Sequence, residues 1–343
     1  MRVRSALLIG SLSLFIPALA QAAGPYKAPT NPWGRPDLEG NWTNTSLTRL
    51  ERDAQYGARM EMTPQEVKKI EGDRQAEADR DKQKTETKGV EALNTNCEIR
   101  GFPGGATCAY NGAWTDPGDT VMRVAGKPRT SFITSTSDGR VPPVLPAAAA
   151  RPARPRLPPG VAQNDNPEGR SLGERCLMSF GSSSGPVMQP QLYNSNYQFV
   201  QTRDELAIWV EMVHDVRHIR IGGEHRKDGV RTWMGDSIAH WDGNTLVAET
   251  IAYSPQQATI RGADENLKVT EKFTRVAPDR ILYQFTVEDP TVWATPWGGE
   301  YEFGTAKGSL YEYACHEGNY GLEGILSGAR AEDAEAAKKT AAK

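Results

Sequence analysis

From residue 197 to residue 323 the chain is a train of short segments in which apolar and polar residues alternate, and this pattern restricts it to a β-architecture. Leu206, Ile208, Val210 and Met212 share one parity, with Glu205, Trp209 and Glu211 on the other. Asp242-Gly243-Asn244 separates 238–241 from 245–251 as a tight hairpin. Val269 and Phe273 alternate next, and Ala277-Pro278-Asp279 turns the chain into Ile281, Tyr283, Phe285 and Val287. Leu310 to Ala314 reads as a closing strand. Short strands at this spacing favour local hairpins over long crossovers, so the expectation is a mainly β fold, an antiparallel barrel or sandwich over 172–328.

The segments before it are of another kind. Gly34 to Thr43 is a turn-rich lead into Gly40-x-Trp42, as many small antiparallel barrels begin, with Gly at the strand start and Trp plugging one end. Thr63-Pro64-Gln65-Glu66 combines a cap, a proline at the first helical position and the glutamate of a capping box. It predicts a charged, solvated helix over 63–83. Residues 130–141 read as a hairpin turning at Asp138-Gly139. Seven prolines follow between Val141 and Gly160, and 142–171 is expected to be an extended linker or surface excursion. Residues 329–343 read as a polar tail.

Residues 1–22 resemble an export signal. Arg2 and Arg4 precede the apolar run Ala6–Leu19, and Ala18-Leu19-Ala20 and Ala20-Gln21-Ala22 both suit cleavage. The expected location is periplasmic or secreted. Without those residues the formal charge moves from -3 to -5, because 40 basic residues lose two and the 43 acids lose none. That balance lacks the basic face of a nucleic-acid protein. No later run reaches the roughly 20 apolar residues of a membrane helix. In an oxidising compartment the four cysteines allow three pairings. Cys97 and Cys108 enclose a Gly-rich loop, and Cys176 and Cys315 bracket the strand train.

All five histidines lie within that train. If period two persists beyond Met212, His214 and His218 point with the apolar residues, and Asp215 and Arg217 point away. On a strand the two rings would be about 13 Å apart at ~3.3 Å per residue, too far to share a metal, and no metal site is expected. His225 and His240 sit near turns and read as surface residues. His214 instead calls for an acid across the barrel, from Asp215 after a bulge, Glu249, Glu271 or Glu317. Glu271 shares the parity of Val269 and Phe273, and an inward carboxylate is costly unless paired. Burial would raise its pKa and suit it to general acid or base work; otherwise it sits on an outer face that happens to be apolar, or forms an ion pair with Arg217 or Arg231. His316 and Glu317 form a second acid/base pair at a strand end.

Other signatures are absent or lack their context. There is no phosphate-cradling Gly-x-x-x-x-Gly-Lys and no His-Glu-x-x-His. Gly181-Ser-Ser-Ser-Gly185 matches the letters of a nucleophile elbow, but Pro186 follows where a helix is required. Trp209, Trp233, Tyr283, Tyr311 and Tyr313 supply aromatic surface for an apolar ligand.

Several segments together resemble a large family of exported bacterial proteins. They are Ser-Asp-Gly-Arg-Val-Pro (137–142), Glu-Arg-Cys (174–176), Tyr-Asn-Ser-Asn-Tyr-Gln (193–198), His-Asp-Val-Arg (214–217), Trp-Met-Gly-Asp-Ser (233–237), Phe-Thr-Val-Glu-Asp-Pro (285–290) and Tyr-Ala-Cys-His-Glu-Gly-Asn-Tyr-Gly (313–321). The resemblance implies a periplasmic, β-rich, lipocalin-like protein and supplies no substrate. The expected function is acid/base chemistry (lyase, isomerase or hydrolase) on a small, partly apolar molecule. His214 is its centre, tuned by Asp215 or Glu271, with Arg217 steadying an anion and no cofactor. The alternative is a non-catalytic lipocalin-like binder of a hydrophobic molecule.

Overall fold

A computed structural model describes residues 26–88, 116–151, 157, 161–179, 185–191, 193–255, 260, 263 and 265–341. The export signal and the Cys97 and Cys108 segment lie outside the described residues. Nine strands close into a barrel. They are β1 (Gly40–Thr43), β4 (Asn196–Gln201), β5 (Glu205–Val210), β6 (Val216–Ile221), β7 (Asp236–Asp242), β8 (Thr245–Ile251), β9 (Lys268–Ala277), β10 (Arg280–Glu288) and β11 (Trp297–Thr305). The two-residue strands β2 (Arg123–Val124) and β3 (Lys127–Pro128) form a separate small hairpin. The architecture is a barrel and not a sandwich.

Every neighbouring pair in the barrel is antiparallel except β6 and β7, which run parallel, with Ile219 opposite Ser237. That exception corrects the all-hairpin expectation. Residues 222–235 must carry the chain back along the outer wall before β7 can start, because a parallel pair needs a crossover. Closure comes from the N-terminal segment. β1 pairs with β4 through Trp42 opposite Tyr197 and with β11 through Trp42 opposite Thr305.

The period-two pattern explains the packing. Leu206, Ile208 and Val210 in β5, Val269 and Phe273 in β9, and Ile281, Tyr283, Phe285 and Val287 in β10 are all buried inside. β11 was not foreseen, and no strand forms at 310–314. Its alternation of Trp297, Tyr301 and Phe303 inward with Glu300 and Glu302 outward is interrupted by Gly298-Gly299, which lack side chains to show a period. Both glycines are required by contact. A Cβ at Gly298 would lie 2.2 Å from the Phe285 carbonyl oxygen, and one at Gly299 would lie 2.2 Å from that of Phe132. The close approach lets Ile133 bridge to Gly299. The segment turns at Asp138-Gly139 but does not form the expected hairpin, since Phe132 and Ile133 donate to the Leu50 carbonyl and Thr134 and Ser135 to that of Gly298.

The charged helix α1 spans Pro64–Lys88. Its capping box is made as the sequence suggests: the Glu66 N–H donates to Thr63 Oγ1 at 3.3 Å, and the Thr63 N–H donates to Glu66 Oε2 at 2.7 Å. In the proline-rich excursion a single helical turn, α2 (Pro146–Ala149), rests on the barrel through the Leu145 N–H and the Val292 carbonyl. The C-terminal helix α3 (Tyr320–Ala341) has no buried residue. Among the described residues no helix is long and apolar enough to cross a membrane.

Candidate functional site

The barrel has two distinct ends. The upper end is reached by the C-termini of β1, β5, β8 and β10 and by the N-termini of β4, β6, β7, β9 and β11. The sequence segments singled out above converge there. Residues 193–198 enter β4, 214–217 enter β6, 233–237 enter β7 and 285–290 leave β10. Cys176 and Cys315 form a disulfide that ties 174–176 to 313–321 at the same rim. The Asp215 carboxylate accepts the Ser179 N–H at 2.9 Å, fastening the disulfide segment to the start of β6.

A strap, residues 185–190, crosses this end with Val187 and Met188 fully buried. Two tyrosines hold its backbone. The Met188 N–H donates to Tyr283 Oη at 3.2 Å, and the Tyr301 hydroxyl donates to the Met188 carbonyl at 2.7 Å. Beneath lies a charged pair buried on all sides. Arg217 Nη1 donates to Glu271 Oε1 at 3.1 Å and Nη2 to Oε2 at 2.6 Å, with side chains 1% and 0% exposed. The Tyr283 hydroxyl donates to Glu271 Oε1 at 2.7 Å. Asn44 adds hydrogen bonds at 3.2 Å to the hydroxyls of Tyr197 and Tyr301.

These groups titrate as their surroundings dictate. Burial, then the Glu271 charge, holds the Tyr283 hydroxyl well above the ordinary tyrosine range, so it keeps its proton and serves as a hydrogen-bond donor. Tyr253 is raised by the same two causes. Burial works against the Arg217 charge, but the Glu271 carboxylate more than offsets it and its pKa rises.

The geometry corrects the expected position of His214. Residues Met212–His214 form a short 3-10 turn in which Val213 and His214 adopt φ of 59° and 45°. The turn breaks period two, so His214 is exposed and Arg217 points inward. The His214 Nδ1 lies 3.2 Å from the Tyr313 carbonyl, outside the barrel. His218 also faces out, against Glu205. Asp215 is buried but serves Ser179. His316 and Glu317 are exposed at the rim, and Tyr311 is 77% exposed. Trp209 and Trp233 are half-buried, and Trp209 points out between inward neighbours. Tyr313 packs against the core from outside the strands. Of the expected residues, the barrel interior therefore brings together Arg217, Glu271 and Tyr283.

A second polar cluster was missed. On the outer wall at the upper end, Asp236 accepts from Arg220 Nη1 at 2.7 Å and from the Arg226 N–H at 2.9 Å. It also faces His225 Nδ1 at 2.9 Å, while His225 Nε2 faces Glu249 Oε1 at 3.3 Å. The Asp236 side chain is only 4% exposed. Burial alone would raise its carboxyl pKa, but hydrogen bonds from Arg220, Arg226 and His225 outweigh it and hold it at about 2. His225 is thus not the free surface residue expected from its place near a turn. The signal was the aspartate of Trp-Met-Gly-Asp-Ser, which lies eleven positions after a histidine that it can reach. This cluster staples the 222–235 crossover to the wall.

Among the described residues no group of three or more His, Cys, Asp and Glu is placed to hold a metal ion. Comparison with protein-family models, with curated proteins and with solved structures gives no match.

Proposed function

We propose that the protein is exported and holds a small, partly apolar molecule at the upper end of its barrel. The observation that carries this reading is the Arg217–Glu271–Tyr283 centre, placed under the rim where the singled-out segments converge. A purely structural barrel gains little from such a pair, since the desolvation of two charges consumes most of their attraction. Access requires the 185–190 strap to withdraw, at the cost of two hydrogen bonds of about 1 kcal/mol each and of the burial of Val187 and Met188, about 1.5–3 kcal/mol each. The Cys176–Cys315 disulfide supports export, because such bonds persist in oxidising compartments.

A second reading is acid/base turnover at the same place. It is favoured by the 2.7 Å hydrogen bond from Tyr283 to Glu271, which couples a proton donor to a carboxylate in an apolar enclosure. On this reading Tyr283 and Glu271 take the role that sequence reasoning gave to His214.

Native mass spectrometry of protein purified from its own cellular compartment tests the proposal. The expected result is a small molecule that travels with the wild type and with His214→Ala, and is lost at least about tenfold in Glu271→Gln. A molecule lost equally in His214→Ala would move the site outside the barrel. Protein free of any adduct, in both the intact spectrum and a solvent extract, would overturn the reading. If a substrate is found, Tyr283→Phe separates binding from turnover, since removing a general acid costs about a hundredfold or more in rate.

A further inference from the structure

The upper end contains buried polar atoms without partners, and most of them are donors. Arg217 Nε, Trp293 Nε1 and Trp297 Nε1 have no hydrogen-bond partner among the described residues, although each residue is at most 2% exposed. Buried indole N–H groups ordinarily find a partner, and a buried donor left alone costs about 1–3 kcal/mol. Three such donors at one end of one barrel need an explanation.

The residues that carry these atoms form one connected cluster. Trp293 and Trp297 meet edge to face with ring centroids 5.6 Å apart, and Trp297 meets Phe285 at 6.1 Å. Phe285 lies opposite Glu271 across the β9–β10 ladder, and Glu271 holds Arg217. No hydrogen bond joins Glu271 to either indole: its Oε1 accepts from Arg217 Nη1 and Tyr283, and its Oε2 from Arg217 Nη2. The charges of Arg217 and Glu271 cancel, and the buried Asp289 carboxylate, whose Oδ2 has no partner, lies beside Trp293, so the cluster disfavours an anion. It offers flat aromatic faces together with N–H groups that lack acceptors.

We propose that the molecule held at the upper end is neutral and ring-bearing and carries at least two acceptor oxygens, of carbonyl or ether type, that meet the Trp293, Trp297 and Arg217 Nε donors. This inference names the ligand class of the site in Proposed function and rests on that reading.

Three probes of similar size test it on the full mature chain by isothermal titration calorimetry. Chromone is neutral, with a ketone and a ring oxygen; naphthalene has the same shape and no acceptor; 1-naphthoate adds a negative charge. The strap is loosened in parallel by Met188→Ala. The expected result is that chromone binds at least about tenfold more tightly than either of the others, as one recovered hydrogen bond of ~1.4 kcal/mol requires. Met188→Ala is expected to tighten chromone and naphthalene alike. Trp293→Phe and Trp297→Phe should each narrow the preference for chromone while leaving naphthalene within a few-fold. Equal affinity for chromone and naphthalene would overturn the ligand class and leave the site standing, with internal water as the partner of the donors. Tighter binding of 1-naphthoate would overturn the neutral class. Binding of no probe to either the wild type or Met188→Ala would overturn both this inference and the reading on which it rests.

Discussion

Arg217 and Glu271 show how a single residue's environment decides its worth. Each charge is buried beyond the reach of water, so each depends on the other. Arg217→Met or Glu271→Leu alone leaves an uncompensated interior charge and is expected to cost about 3–5 kcal/mol. The double substitution removes both charges and should recover most of that loss, by urea unfolding of all three variants. Additive losses would show that the two side chains do not act as a pair. The inward direction of Glu271 was legible, because it shares its parity with Val269 and Phe273 in an unbroken strand. Arg217 was not. Two residues with positive φ, Val213 and His214, reset the register just before it, and neither is a glycine or asparagine that would announce such a turn. The error about His214 and the error about Arg217 are therefore one error.

Among the elements, the 222–235 crossover depends most on charge. Its staple is Asp236, held at about 2 against an ordinary 3.8. A carboxyl depressed on folding stabilises the protein fully above its unfolded value and loses that contribution as the pH falls through its folded value. The window is thus from about pH 4 down to about pH 2, and the gap corresponds to at most about 2–3 kcal/mol. Unfolding free energies of the wild type and Asp236→Asn are expected to converge as the pH falls through that window. Parallel curves would remove Asp236 as the staple. The hairpins β7–β8 and β9–β10 were readable from alternation and turn residues, and α1 from its capping box. β11 was hidden by two glycines whose importance is close backbone approach, which no alternation encodes. The parallel step from β6 to β7 was also hidden, since a return along the outer wall leaves no mark except loop length.

At the scale of the whole molecule, the Cys176–Cys315 bridge closes a loop with a sequence separation of 139. Chain-entropy reasoning assigns a loop of that length about 4–5 kcal/mol, acting on the unfolded chain. Cys176→Ser is expected to lose a comparable amount in denaturant, and any copurifying molecule should be retained less well, because the bridge sits on the rim. An unchanged unfolding midpoint would show that the disulfide contributes nothing measurable to stability.

The pairing of Trp42 with Thr305 and with Tyr197 sets a limit on when this protein can become itself. A chain that emerges amino terminus first, from a ribosome or a secretion pore, offers its opening strand long before either lateral neighbour exists. β4 arrives about 150 residues later, and β11 only near the end. Until then the growing sheet has two bare margins, each open to stray pairing with another molecule. Maturation must wait for nearly complete synthesis, and any factor guarding the nascent chain would have to shield those margins until the ring shuts.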